Sequence, residues 1–457
     1  MQMTPFAASL LLALSATAPQ VVSLDAGVNV WDTVVRDIDG DEQDDIVAFC
    51  CDETSAELDK VLVVFLAGDD GAFPTAPSAT FGVGPGNGCA FFAEMDGAPP
   101  AETVVAGAEG VTVYAFENGG FVERGRQAFF SLFPGGIREP RFIAEIAMDL
   151  DKDGVDEWLV PMPSGYGVRG KDGAVCTVNC DVESHISAGG GVRVDNRLPA
   201  FQAFDLEGQE HQALAFLSDE YADFAYGDHW AEHKRFPVPQ TLGEKWEASA
   251  HMHDIDKNGM PDLVVTQTQG TINLQVVTQV YLASGPMEYP EEPTARFESK
   301  GSFAAPILRD VDGDEKLDLV FINIPWGVRF FINFFVFKKL GIDLEIYLFR
   351  DGGFGDDPDF RADVSIDAPE GREQSAYALG DFNGDGRSDI AFGAGRDSMN
   401  VHTGSEDKFI SSKPWVSFDV PAFGVATVHD INGNGSDDMV IYHPGMDRRA
   451  HIELVIF

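Results

Sequence analysis

The residues of this chain best suited to chemistry are short runs of acids and amides with a fixed spacing. Residues 381–390, DFNGDGRSDI, place Asp381, Asn383, Asp385 and Asp389 at the first, third, fifth and ninth positions, with glycine at the sixth. Hard oxygen donors this close together suit a hard divalent cation, and Ca²⁺ accepts many of them in flexible geometry. The spacing returns at Asp37 (DIDGDEQDDI), Asp149 (DLDKDGVDEW), Asp254 (DIDKNGMPDL), Asp310 (DVDGDEKLDL) and Asp430 (DINGNGSDDM). Six intact copies exclude coincidence. Two eroded copies fill the gaps: EMDGAPPAET from Glu94, with Ala98 at the fifth position, and DLEGQEHQAL from Asp205, with Ala213 at the ninth. Loop starts at 37, 94, 149, 205, 254, 310, 381 and 430 make the chain one unit written eight times.

The elements that hold these loops are strands. EF-hand and dockerin loops share the opening spacing, but they place an acid at the twelfth position and flank the loop with helix. Here that position holds Ala48, Val160, Val265, Phe321, Phe392 and Ile441. The ninth residue instead opens β-type runs such as DIVAF at 45–49 and DLVFI at 318–322. The pattern resembles the FG-GAP repeat, the calcium-loop blade of integrin α-subunit propellers, and its bacterial VCBS-type relatives. The resemblance covers nearly the whole mature chain, and its motif specifies a fold rather than an activity.

In that family calcium is held by the side chains at positions one, three, five and nine and by the carbonyl of position seven. The resemblance therefore implies six sites. They are Asp37, Asp39, Asp41 and Asp45 with Gln43; Asp149, Asp151, Asp153 and Glu157 with Val155; and Asp254, Asp256, Asn258 and Asp262 with Met260. The others are Asp310, Asp312, Asp314 and Asp318 with Lys316; Asp381, Asn383, Asp385 and Asp389 with Arg387; and Asp430, Asn432, Asn434 and Asp438 with Ser436. Glu42 and Glu315 replace the sixth-position glycine, which predicts a strained or altered turn there. The loops at Glu94 and Asp205 are expected to be metal-free.

Each unit reads as four strands; in the first these fall at 31–36, 46–49, 60–66 and 79–83. The fold class is thus all-β, an eight-bladed β-propeller of four-stranded antiparallel blades, with a seven-bladed ring as the second choice. The last unit is one strand short, and an orphan strand precedes the first at 21–24. Joining the two would close the ring and remove its open edges. Small residues on the first strand of the units (Ala144, Ala147, Ala248, Ala250, Ala376, Ala378, Gly380, Gly424, Ala426) match crowding around a central channel. The longest unit carries an apolar insertion, PWGVRFFINFFVFKKLG at 325–341, open to two readings: a short helical plug on the ring's own surface, or a docking element for an apolar partner or a membrane.

Composition limits the partners. With 457 residues, 44% hydrophobic, the chain buries a substantial core, and a net charge of −44 repels nucleic acid and anionic bilayers even with every loop filled. Residues 1–18 read as an export signal, with an apolar run and Ala16-Thr-Ala18 at its end, leaving 19–457 as one propeller domain. The expected location is secreted, periplasmic or cell-surface. No later run is apolar enough for a membrane helix. Of the five cysteines, Cys176 and Cys180, or Cys89 with Cys50 or Cys51, are near enough to pair; buried free thiols are the equal alternative.

Other signals are weaker. His251 and His253 share a strand face as a zinc-type pair lacking further ligands, and the glycine-rich pieces 82–86 and 189–191 read as turns because no Walker lysine or helix follows. No nucleophile elbow or HExxH motif is present. The expected function is a calcium-binding binding or adhesion module for a protein or glycan on the rim opposite the loops. The alternative is a carbohydrate-active lyase or hydrolase, for which Arg36, Arg309, His251, His253 and His429 near the inner strand ends are the hints. A structural envelope protein without a small ligand is the third reading.

Overall fold

The computed structural model describes residues 18–68, 71–188, 192–240, 242–243, 246–270, 275–300, 306–324, 338–367, 374–405 and 408–457. Residues 1–17, which the sequence reads as an expected export signal, lie outside the described residues, as do 189–191 and the 325–337 part of the apolar insertion. The readings of that insertion as a plug or a docking element fall on those residues; only its last few residues are described. Lys339 to Gly341 open the blade strand Lys339–Tyr347.

Eight antiparallel blades follow one another along the chain. In blade 1 the strands Asn29–Arg36, Asp45–Asp52, Asp59–Phe65 and Ala79–Gly82 pair in sequence order. The same order recurs from Asn87–Ala93 in blade 2, Ala147–Met148 in blade 3, Ala200–Phe204 in blade 4, Glu247–His253 in blade 5, Ile307–Arg309 in blade 6 and Tyr377–Gly380 in blade 7. Blade 8 takes three strands from the C-terminus, Val425–His429, Asp438–Tyr442 and His451–Ile456, and its fourth from the N-terminus. Gln20–Asp25 runs antiparallel to His451–Ile456 over six residue pairs, from Gln20 opposite Ile456 to Asp25 opposite His451. The ring is closed by its own two ends.

Second strands lie inside each sheet with a neighbouring blade on either face, which is why they read as continuous apolar runs rather than alternating ones. Asp438–Tyr442 (DMVIY) and Ala213–Leu217 (ALAFL) are buried at every residue. The core is accordingly divided among the junctions between blades. Val47 and Phe49 meet Ala90 and Val105 between blades 1 and 2, and Phe91, Trp158 and Phe216 form one cluster through blades 2, 3 and 4. Further clusters join blades 4 and 5, 5 and 6, 6 and 7, and 7 and 8. Leu24, Ile452 and Leu454 meet Ile46 and Val63 between blades 8 and 1. That circuit of contacts settles the blade number at eight rather than seven.

Crowding at the axis is real where Gly380 stands: a Cβ there would lie 2.7 Å from Val428 Cγ1 and 2.8 Å from Asp437 Oδ2. Two departures were not legible in the repeat. The inner strand of blade 3 is split, with Arg141–Phe142 pairing in parallel with the inner strand of blade 2 and only Ala147–Met148 pairing with its own sheet. A separate hairpin, Glu183–Ala188 with Val192–Arg197, is inserted between blades 3 and 4. Among the described residues the helical structure is a single 3₁₀ turn, Asp228–Trp230, and no helix is long and apolar enough to cross a membrane.

Candidate metal centres on one rim

All six intact loops connect the first strand of a blade to its second, so strand alternation sets them on one rim. The ninth residue anchors each loop. Asp45, Glu157, Asp262, Asp318, Asp389 and Asp438 each open a second strand, and each is buried. One carboxylate oxygen accepts the backbone N–H of the second loop residue, as in Ile255 to Asp262 at 2.8 Å and Val311 to Asp318 at 2.8 Å. In five of the six, the other oxygen accepts an N–H from just past the third strand: Ala67, Ala283, Phe349, Gly404 and Phe457, all at 2.7 to 2.8 Å. The residue thus ties three segments of its blade together. Burial is the main cause that pushes these acids up, to about 6 for Asp45 and Asp438 and about 7 for Glu157, Asp262, Asp318 and Asp389, with neighbouring loop acids adding to it. A buried carboxylate this reluctant to ionise is a site where a cation is strongly favoured.

The remaining positions shape the turn. The first-position carboxylate accepts the N–H of the sixth residue in each intact loop, as in Gly386 to Asp381 at 2.6 Å and Gly435 to Asp430 at 2.9 Å. The fifth-position oxygen accepts the N–H of the seventh, as in Gln43 to Asp41 at 2.9 Å, Met260 to Asn258 at 2.8 Å and Ser436 to Asn434 at 2.7 Å. Positions four and six both adopt left-handed backbone. Glycine provides this at most of them, but Glu42 and Glu315 sit at φ 68° and 69°, and Lys152 and Lys257 at 63° and 60°. The sixth-position strain read from the sequence is therefore present, and the fourth position shares it.

Four loops bring three acids together with ligand oxygens within 4.8 Å of one another: Asp37, Asp39 and Asp41; Asp149, Asp151 and Glu157; Asp254, Asp256 and Asp262; Asp310, Asp312 and Asp318. Asp45, Asp153 and Asp314 stand outside these sets. The loops at Asp381 and Asp430, in which Asn383, Asn432 and Asn434 replace carboxylates, do not form such a triad of acids. The donor set is oxygen alone, which fits Ca²⁺ and excludes a thiolate or imidazole zinc site. One orphaned atom points the same way: Asp312 Oδ1 is buried with no hydrogen-bond partner, while Oδ2 accepts Arg350 at 2.9 Å.

Neither eroded loop has this set. The loop at Glu94 keeps its skeleton, with Met95 N–H donating to Glu102 at 3.1 Å and Ala98 N–H to Glu94 at 2.9 Å, but has no side-chain oxygen at the fifth position. In the other, Lys152 from blade 3 places its ammonium 2.8 Å from Asp205, a protein cation beside the first acid.

Near the inner strand ends the two arginines stand among carboxylates. Arg309 donates to Ser388 Oγ at 3.2 Å and lies 3.8 Å from Asp437. Arg36 stacks on Phe92 at 4.1 Å, with Asp37, Asp44, Asp156 and Glu94 around it. His429 faces Asp44 and Asp437, and burial holds its pKa down. His251 and His253 stack with ring centroids 6.5 Å apart, and among the described residues no third metal-ligating group joins them. All five cysteines are free thiols, Cys176 half-buried and the others buried.

Sequence reasoning overlooked the eighth loop residue, which links neighbouring blades. Asp156 of blade 3 accepts Glu94 N–H at 2.8 Å and donates its own N–H to the Glu94 carbonyl at 2.7 Å. Asp437 of blade 8 makes the same pair of bonds with Asp381 of blade 7, both at 2.7 Å. Gln212, Leu317 and Ser388 donate their N–H groups to the carbonyls of Leu150, Ile255 and Val311 in the preceding loops. The recurrent acid at this position in three loops was the available signal.

Three solved structures show how far the likeness to known proteins reaches. A lectin of Agrocybe aegerita described as recognising non-reducing terminal N-acetylglucosamine is 15% identical over 89% of this chain and 96% of its own, with a TM-score of 0.43. BBS1N, solved in complex with ARL6DN, is 9% identical over 95% of this chain and 97% of its own, at 0.38. The rhamnogalacturonan lyase YesW is 13% identical over 93% of this chain and 66% of its own, at 0.33. No protein-family model and no curated protein matches the chain.

Proposed function

We propose that this chain is an exported propeller of FG-GAP type, rigidified by Ca²⁺ along one rim and acting as a binding module for a glycan or protein on the opposite rim. The observation that carries the calcium reading is the convergence of three carboxylates in each of four loops, with the ninth acid buried in three of them. Asp37, Asp39 and Asp41, Asp149, Asp151 and Glu157, Asp254, Asp256 and Asp262, and Asp310, Asp312 and Asp318 would hold the ions, with Asp381 and Asp430 leading two amide-rich sites. Bound calcium would supply fixed positive charge that lets buried carboxylates ionise without mutual repulsion.

Support for a glycan comes from a groove of about 610 Å³ at the far ends of blades 5 and 6, away from the metal loops. Its lining includes Trp246, Gln275, Arg296, Asn323, Asp343 and Glu345. An indole beside amide and charged side chains offers an apolar face for a sugar ring and directional partners for its hydroxyls. Arg36 and Arg309 near the inner strand ends are engaged by loop carboxylates, which weighs against a lyase there. A glycan array probed with the calcium-loaded chain tests this: retention that Trp246→Ala abolishes without lowering the melting temperature is expected. Product release from a polysaccharide would replace the binding module with an enzyme, and an array without retention would remove the glycan.

A further inference from the structure

We infer that the eighth loop residue is a positioning residue for the metal site of the preceding blade, so that the sites of blades 6, 7 and 8 are energetically linked. The inference rests on the calcium reading above and goes beyond it, because no eighth residue belongs to a ligand set.

The geometry is most complete between blades 8 and 7. Asp437 holds the Asp381 residue from both sides of its backbone, accepting its N–H on Oδ2 and donating to its carbonyl, both at 2.7 Å. Asp381 supplies the first ligand of the blade 7 loop, and its side chain already organises that turn by accepting the N–H groups of Asp385 and Gly386. The next junction uses a different residue for the same purpose. Ser388 donates its hydroxyl to the Asp310 carbonyl at 2.9 Å and its N–H to the Val311 carbonyl at 3.1 Å, and its Oγ accepts Arg309 Nε at 3.2 Å. Asp310 is the first ligand of the blade 6 loop.

The eighth residue sits between the seventh, whose carbonyl belongs to the expected ligand set, and the ninth, whose carboxylate is buried. Ordering those two neighbours orders the eighth between them, and the eighth then fixes the first ligand of the adjacent loop. A filled site on blade 8 therefore leaves less disorder to remove when the site on blade 7 fills, and linkage makes the effect reciprocal. The joint persists at the eroded Glu94 loop through Asp156, so it belongs to the ring's construction principle; it becomes a coupling wherever both loops carry ligands.

The test is calcium titration calorimetry on the full chain, comparing wild type with Asp437→Ala and Asp437→Asn. Alanine removes the acceptor and leaves every ligand in place; asparagine keeps an acceptor oxygen without the charge. Asp437→Ala is expected to weaken one site beyond the wild-type isotherm by about tenfold, the scale of one charge-assisted hydrogen bond, with unchanged stoichiometry at saturation. Asp437→Asn is expected to restore most of that affinity. A purely structural role would lower the melting temperature in chelator and leave the isotherm alone. An alanine isotherm that superimposes on wild type, or an asparagine variant as weak as alanine, overturns the inference. Should Asp437→Ala fail to fold, Ser388→Ala makes the same comparison for the blade 6 site, since it removes only the hydroxyl bonds. A wild-type chain that binds no calcium defeats the calcium reading itself, an outcome distinct from intact binding without coupling.

Discussion

Replacing Asp389 by alanine separates the two roles of a ninth-position acid. Its side chain is fully buried and accepts two backbone N–H groups, Phe382 at 3.1 Å and Gly404 at 2.8 Å. Alanine leaves both donors without a partner, at about 1–3 kcal/mol each, so the fold loses about 2–6 kcal/mol before any metal is considered. With an unfolding entropy of about 2 cal/mol/K per residue, a ring of this size melting as one unit shifts by about 1 °C per kcal/mol, hence about 2–6 °C in chelator. Asp385 provides the contrast, because it is exposed and its oxygen accepts the N–H of Arg387, a loop neighbour, at 3.0 Å. Asp385→Ala is expected to melt within about 1 °C of wild type in chelator, as surface changes usually do. In calcium at about a hundred times the dissociation constant, each filled site adds about 2.7 kcal/mol, and both variants forfeit that share. Differential scanning calorimetry with chelator and with calcium reads all four values. Equal melting of the two variants in chelator would refute the claim that the ninth acid is part of the fold as well as part of the site.

Other expectations follow from the same geometry. Burial raises the ninth acids to about 6 or 7 from an ordinary carboxylate value near 4, so between those limits the native state binds more protons than the unfolded chain. The metal-free protein therefore loses stability as pH rises from about 4 to about 7, and the calcium-induced gain in melting temperature is smaller at pH 5 than at pH 7.5; a gain independent of pH would contradict this. Leu24, fully buried opposite Ile452 on the closing strand, is expected to cost about 2–5 kcal/mol as alanine in urea unfolding, and an unaltered midpoint would mean that the N-terminal strand does not hold the ring. Glu42→Gly and Glu315→Gly relieve left-handed residues at φ 68° and 69°. Relief of about 1–2 kcal/mol, partly offset by the freedom glycine adds to the unfolded chain, predicts a small rise in melting temperature for each, where Glu42→Ala and Glu315→Ala give none.

The repeat itself was legible in sequence because the signals that make it are local. A turn that needs oxygens at alternate positions and left-handed backbone at the sixth writes itself into ten consecutive residues, and a strand enclosed on both faces writes itself as an apolar run. From these came the eight blades, the acidic loops on one rim and the closing strand at the N-terminus, whose partner was inferred from one strand missing at the other end. What the sequence left undecided depends on neighbours far along the chain. The Asp437 bond reaches 56 residues back to Asp381, and the Ser388 hydroxyl reaches 78 back to Asp310. A pattern whose period is one blade has no means of marking which residue will face the next blade. The same reason explains the split inner strand at Arg141–Phe142, which borrows hydrogen bonds from blade 2, and Arg309, whose partners Ser388 and Asp437 lie on other blades. Local chemistry determined the parts, and closure of the ring decided which of them meet.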